Sequence, residues 1–311
     1  MKNLITLVAI VVSLISFSSR ASAKDNGTYE PRVGLYTKDE FRLLSTDQIP
    51  LIFDKFIAES PEKNIILYIH GRGRDTDSEW KTISYMEEKY AAKVVMFHWP
   101  SWSSLITRPV AVAKESAHEL DEVIKLIRDY KEAHSDVFAH KKITLLAHSM
   151  GNVVVREFVE NYYAHDLNNP ELGPLFENFV SAGADIGFTD HRPWFEALDF
   201  TNKKFVLMNN RDIMLLLSYL LDLKIKEPFL YKLGLGVERF PMKKEKLVKY
   251  LDPGTTYIDL SKSLNVDHRY FESTKPLMTR IFKPLLNGEN FEPSKVGAKV
   301  KREAGISYVI D

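Results

Sequence analysis

Apolar residues in this chain come in short, nearly unbroken runs rather than in alternation with polar ones. Ile65-Ile66-Leu67-Tyr68-Ile69, Val94-Val95-Met96-Phe97, Ile143-Thr144-Leu145-Leu146-Ala147, Phe179-Val180-Ser181-Ala182, Phe205-Val206-Leu207-Met208 and Thr256-Tyr257-Ile258-Asp259-Leu260 follow one another along the chain. A strand that is apolar on both faces must be covered on both, which is the condition of a parallel sheet between helices. The intervening segments have helical period. Leu120, Ile124, Ile127 and Tyr130 fall on one side of a helix whose other side carries Glu119, Glu122, Lys125 and Asp129. Val154, Val155, Phe158, Val159 and Tyr162 form a second such face. The predicted fold class is therefore α/β, a doubly wound and mostly parallel sheet flanked by helices.

With 45% hydrophobic residues in 311, there is apolar surface enough for one large domain. Lys+Arg and Asp+Glu each total 42, so no global field draws the chain to nucleic acid or an anionic surface. Lys2, the apolar run Leu4 to Phe17 and Ala21-Ser22-Ala23 read as an export signal over residues 1–23, with a cleavage site. That apolar run is too short to span a bilayer core. The expected location is periplasmic or secreted, with membrane contact open but no integral span after cleavage. There is no cysteine, which excludes a thiol nucleophile, thiolate metal sites and disulfides. Residues 24–290 are expected to form the one α/β domain, with 213–255 a lid or cap excursion because it is too long for a simple connection. Residues 291–311 are set apart as a C-terminal tail.

The chemistry centres on Ala147-His148-Ser149-Met150-Gly151, which lies between a predicted strand and a predicted helix. There a sharp turn lifts a serine hydroxyl above the sheet edge, and close backbone contacts demand small residues two before and two after it. Ser149 is the expected nucleophile. A serine needs a base and an acid to orient that base, and at such an elbow they follow in the order serine, acid, histidine. Of His165, His191 and His268, only His268 lies past the last predicted strand, and it is the expected base. Asp212, between strand 205–208 and the helix from Ile213, is the favoured acid, a position that suits a helix N-cap equally well. Asp185, in Ala184-Asp185-Ile186, is the rival.

An oxyanion hole is expected from the backbone N–H of Met150 with that of Gly71 or Arg72, in the loop His70-Gly71-Arg72-Gly73. His98 and His148 are read as structural hydrogen-bonding residues. The run Met214 to Leu221 is apolar nearly all round, which suits core burial or, more sharply, an acyl-binding wall. No metal or cofactor is implied.

Taken in order, these stations resemble a bacterial group of alpha/beta hydrolases of unknown function, whose members often carry export signals. The resemblance rests on His70-Gly71, Trp99-Pro100-Ser101, Ala147 to Gly151, Asp212-x-x-Leu215-x-x-Ser218, Ala182-Gly183-Ala184-Asp185, and His268 with a following aromatic, Tyr270 or Phe271. It covers roughly residues 64–272 and implies the α/β-hydrolase fold and the triad, but no substrate. Arg72-Gly73-Arg74 and the length of 213–255 depart from the pattern, at the pocket. The expected activity is hydrolysis of a small-molecule or lipid carboxylic ester. Acyl transfer or amide cleavage at envelope lipid or peptide uses the same triad, and a hydrolase fold that only binds is the third reading.

Overall fold

The computed structural model describes residues 29–73, 76–102, 108–163, 173–224, 231–236, 248–297, 299–303 and 306–310. The expected signal at 1–23 and His165 lie outside them. Every apolar run named above is a strand: β3 (Ile65–Ile69), β4 (Lys93–His98), β5 (Ile143–His148), β6 (Phe176–Ala182), β7 (Thr201–Met208) and β8 (Thr255–Asp259). With β1 (Gly34–Thr37), β2 (Glu40–Leu44), β9 (Val300–Glu303) and β10 (Ile306–Ile310) they form one sheet. Its order is β2-β1-β4-β3-β5-β6-β7-β8-β10-β9. Neighbours from β4 through β8 run parallel.

Unbroken apolarity is explained by two separate cores. Ile65, Leu67, Ile69, Leu145 and Ala147 belong to one. Ile66, Tyr68 and Leu146 point through the sheet into the other. The first core is closed by α1 (Ile49–Glu59), α3 (Ala117–Ala133) and α4 (Gly151–Asn161), whose Phe53, Ile124 and Phe158 pack into it. On the opposite face lie α2 (Thr76–Tyr90) and α6 (Pro276–Leu286), through Ile83, Met86, Ile281 and Phe282. β3 pairs with β4 on one side and with β5 on the other, so the strand order reverses at β3. Ligands of such sheets bind outside the carboxyl ends of strands at this switch point.

The edges differ from expectation. β1 and β2 form a short antiparallel hairpin against β4, too brief to carry a legible period. Residues 291–311, set apart as a tail, supply β9 and β10, and β10 pairs parallel with β8. Within 213–255, helix α5 (Ile213–Lys224) is followed by Leu233, Gly234 and Leu235, all fully buried. That segment is laced to the domain by Leu233 N–H to Ile186 O, Gly234 N–H to Ala184 O and Asn209 N–H to Gly234 O. These parts of the expected excursion are built into the wall beside the site. Residues 225–230 and 237–247 lie outside the described ones. Among the described residues no helix is long and apolar enough to cross a membrane.

Candidate active site

Register aligns the carboxyl ends of the strands, with Ile69 beside Ala147, His148 beside Ala182 and Met208 beside Asp259. The residues that follow these ends meet at one edge. Ser149 has φ 52°, a left-handed backbone that a serine rarely adopts and that costs roughly 1–3 kcal/mol unless the surroundings impose it. They do. Ser149 N–H donates to Ala182 O at 3.1 Å and Asp185 N–H donates to Ser149 O at 3.2 Å. Asn152, fully buried, gives its amide to Ala147 O and Ser149 O, and Ser181 Oγ holds Asn152 Oδ1 at 2.6 Å. Small neighbours are obligatory. A Cβ on Gly151 would stand 2.4 Å from Ile69 O, and one on Gly71 would stand 2.7 Å from Ser149 Cβ.

Asp212 is wholly buried and does two jobs at once. Its Oδ1 accepts the N–H groups of Met214 (3.0 Å) and Leu215 (3.1 Å), which caps α5. Its Oδ2 lies 2.7 Å from His268 Nδ1. Because an ionised carboxylate only accepts, the proton belongs on Nδ1, which leaves Nε2 as the basic nitrogen. Tyr270 donates its hydroxyl to the same Oδ2 at 2.6 Å. The loop that carries His268 is tied down by Asn209, whose amide donates to Asn265 O and Asp267 O.

His268 also packs on the elbow. A Cβ on Gly183, the residue after Ala182, would lie 3.4 Å from its Nδ1 and Cε1. The rings of His148 and His268 are 4.7 Å apart, and His148 Nε2 donates to His268 O at 3.3 Å. Burial, then the nearby His268, pushes His148 well below the usual histidine range, so it stays neutral. His268 and Asp212 thus meet from two different strand ends, and the His268 ring packs 4.7 Å from that of His148, the residue before Ser149.

Asp185 is engaged elsewhere. Its carboxylate accepts Ser218 Oγ at 2.7 Å, Arg108 Nε at 3.2 Å and Lys232 Nζ at 3.2 Å. Arg108 also spans both oxygens of Asp222, to which Lys232 is bonded as well. Burial pushes the Asp185 carboxyl up, but Arg108, Lys232 and Ser218 outweigh it and hold it below the usual range. This closed network welds α5 and Lys232 to the residue that fixes the Ser149 carbonyl. Arg108, Asp222 and Lys232 carry no spacing that sequence reasoning detects.

The candidate oxyanion loop is equally braced. His70 Nδ1 donates to Gly71 O at 2.7 Å, and its Nε2 accepts Trp99 N–H at 3.2 Å. The Trp99 indole donates back to His70 O at 2.8 Å. Burial lowers His70 to about 4, which keeps this neutral tautomer. Ser101 Oγ donates to Gly73 O and accepts Gly73 N–H, both at 3.0 Å. Trp99-Pro100-Ser101 is thereby a latch on the loop. Arg72 sits with its guanidinium carbon 5.3 Å from the Trp102 ring centre. Met150 caps α4, so its N–H lies at the positive end of the helix dipole, where negative charge is stabilised. Among the described residues no group of three or more His, Asp or Glu is placed to hold a metal ion.

A family described as alpha/beta hydrolase of unknown function (DUF900) matches residues 46–284. No curated protein is similar enough in sequence to match. Among solved structures, a lipase/esterase of Lactobacillus plantarum is 14% identical over 62% of this chain and 85% of its own, with TM-score 0.31. Esterase 2 of Thermogutta terrifontis, phosphoramylated by tabun, is 10% identical over 63% of this chain and 76% of its own, with TM-score 0.29. A lipase-esterase related protein of Clostridium acetobutylicum is 16% identical over 64% and 75%, with TM-score 0.24. Likeness this distant extends to none of their substrates.

Proposed function

Because the chain belongs to the alpha/beta hydrolases of unknown function, we propose that it is a serine hydrolase cleaving carboxylic esters with Ser149, His268 and Asp212. The observation that carries this reading is a buried carboxylate 2.7 Å from His268 Nδ1 beside a serine held at φ 52°. His268 Nε2 takes the Ser149 proton as Oγ attacks the acyl carbonyl. Backbone N–H groups of Met150 and of Gly71 or Arg72 receive the developing oxyanion. His268 then gives that proton to the departing alkoxide, leaving an acyl-enzyme. A water, deprotonated by the same nitrogen, releases the acid. Throughout, Asp212 holds the imidazole and balances its positive charge.

Helix α5 bears on the substrate. Its buried side carries Asp212, Leu215, Ser218 and Asp222, so the polar residues face inward. Ile213, Met214, Leu217, Leu220 and Leu221 follow one another around the opposite side and are half-buried or exposed. This inverted helix begins at the triad acid. It supports an ester with an apolar acyl chain and suits the acyl-wall reading of this run. Export to the periplasm or medium is part of the proposal and rests on residues 1–23; N-terminal sequencing of the processed protein should begin at Lys24.

A series of p-nitrophenyl esters tests the assignment. Turnover should rise from acetyl to octanoyl and fall by at least about 10³ in Ser149→Ala. Undiminished hydrolysis by Ser149→Ala would end it.

A further inference from the structure

Four donors converge on the Asp212 carboxylate, and only three have an evident reason. Two backbone N–H groups on Oδ1 cap α5, and His268 on Oδ2 is the proposed base. The fourth is the Tyr270 hydroxyl, 2.6 Å from the oxygen that already holds His268. Tyr270 is fully buried among apolar side chains that include Phe271 and Leu264. Phenylalanine would fill the same space without burying a hydroxyl that must then be satisfied. Burial, then the Asp212 charge, pushes the phenol well above its usual range, so it remains protonated and donates.

Resting on the hydrolase reading above, we infer that Tyr270 is a positioning residue that sets the basicity of His268 by sharing the Asp212 oxygen with it. A second donor on Oδ2 draws off part of the carboxylate charge and weakens its pull on a protonated imidazole. The base is thereby kept free at lower pH than Asp212 alone would allow.

The other charged and titratable groups around the pair, Asp267 apart, are neutral or paired. From the elbow, His148 is neutral and bonded to His268 O. On the histidine's own loop, Arg269 is paired with Glu79 of α2 and with Glu272. At the end of β8, Asp259 accepts Ser261 N–H at 2.8 Å. His70 is neutral, and Asp267 lies beside the base in sequence. Tyr270 is the group among these that touches the proposed triad acid.

The test reads His268 directly. Its imidazole is titrated by NMR in Ser149→Ala protein with Tyr270, with Tyr270→Phe, and with 3-fluorotyrosine placed at 270. Loss of one of the two donors that share Oδ2 should move the midpoint up by about 0.5–1 unit in Tyr270→Phe. The stronger fluorinated donor should move it down. In the active protein, the acid limb of the pH dependence of kcat/KM should shift up with Tyr270→Phe. A purely structural role lowers thermal stability and leaves the midpoint still. An unchanged or lowered midpoint in folded Tyr270→Phe overturns the proposal. If that variant does not fold, an unchanged or raised midpoint with fluorotyrosine does so. Absence of esterase activity in the wild type would remove the hydrolase reading alone, since the titration needs no turnover.

Discussion

Replacing Asp212 by asparagine separates the two jobs of one side chain. The amide oxygen can stay at the position of Oδ1 and keep accepting from Met214 and Leu215 N–H, so the α5 cap survives. The amide nitrogen then occupies the Oδ2 position, facing His268 Nδ1 at 2.7 Å and Tyr270 Oη at 2.6 Å. Two donors cannot face each other there, so the imidazole moves its proton to Nε2 and loses the lone pair that the proposed nucleophile Ser149 needs. A wrong tautomer of this kind costs about 10⁴ in kcat in a serine protease, a loss of roughly 5 kcal/mol. Stability should fall by only about 1–3 kcal/mol, from the disturbed Tyr270 bond. Asp212→Ala loses activity to the same degree but also the cap, worth a further 0.5–2 kcal/mol or so, and leaves both N–H groups buried. Ester hydrolysis paired with urea unfolding reads both quantities. Asp212→Asn that keeps activity within tenfold of wild type would refute the reasoning, as would equal destabilisation by asparagine and alanine.

The latch, the buried ion network and the neutral histidines give further tests. Ser101→Ala removes both bonds to Gly73, and at about 1 kcal/mol for each neutral bond acylation should slow by up to roughly thirtyfold; the rate of labelling by a fluorophosphonate probe reads this. Arg108→Met leaves Asp185 and Asp222 sharing Lys232, a loss of about 3–5 kcal/mol and of about 10 °C in Tm, partly restored by adding Asp222→Leu. Burial lowers His70, His98 and His191 to about 4 in the folded protein. The unfolded chain binds more protons than the folded one between that value and about 6.5, so each histidine should remove about 1.4 kcal/mol of stability per pH unit as pH falls through this window. Urea midpoints from pH 7 to 4 check the slope, and a flat profile contradicts it.

How much could be read beforehand follows from what each feature is made of. β3 to β8 were legible because burial on both faces writes itself as unbroken apolar residues. Ser149 was legible because its turn needs Gly151 two residues later. His268 was reached by chain order alone. Asp212 and Asp185 stayed open because both follow strands, and only three-dimensional placement puts one beside His268 and the other beside Arg108. Asn152, Asn209 and Tyr270 act through single hydrogen bonds to residues distant in sequence, and such bonds leave no spacing. β10 was missed because a five-residue strand in a polar tail is defined by its partner β8 rather than by its own pattern.

The central claim concerns one oxygen atom. A fluorophosphonate probe applied to the folded wild-type protein, followed by peptide mapping, should give a single adduct on Ser149. Labelling should vanish in Ser149→Ala and slow by orders of magnitude in His268→Ala. A folded wild-type protein that takes no label, or takes it at another residue, would contradict the account.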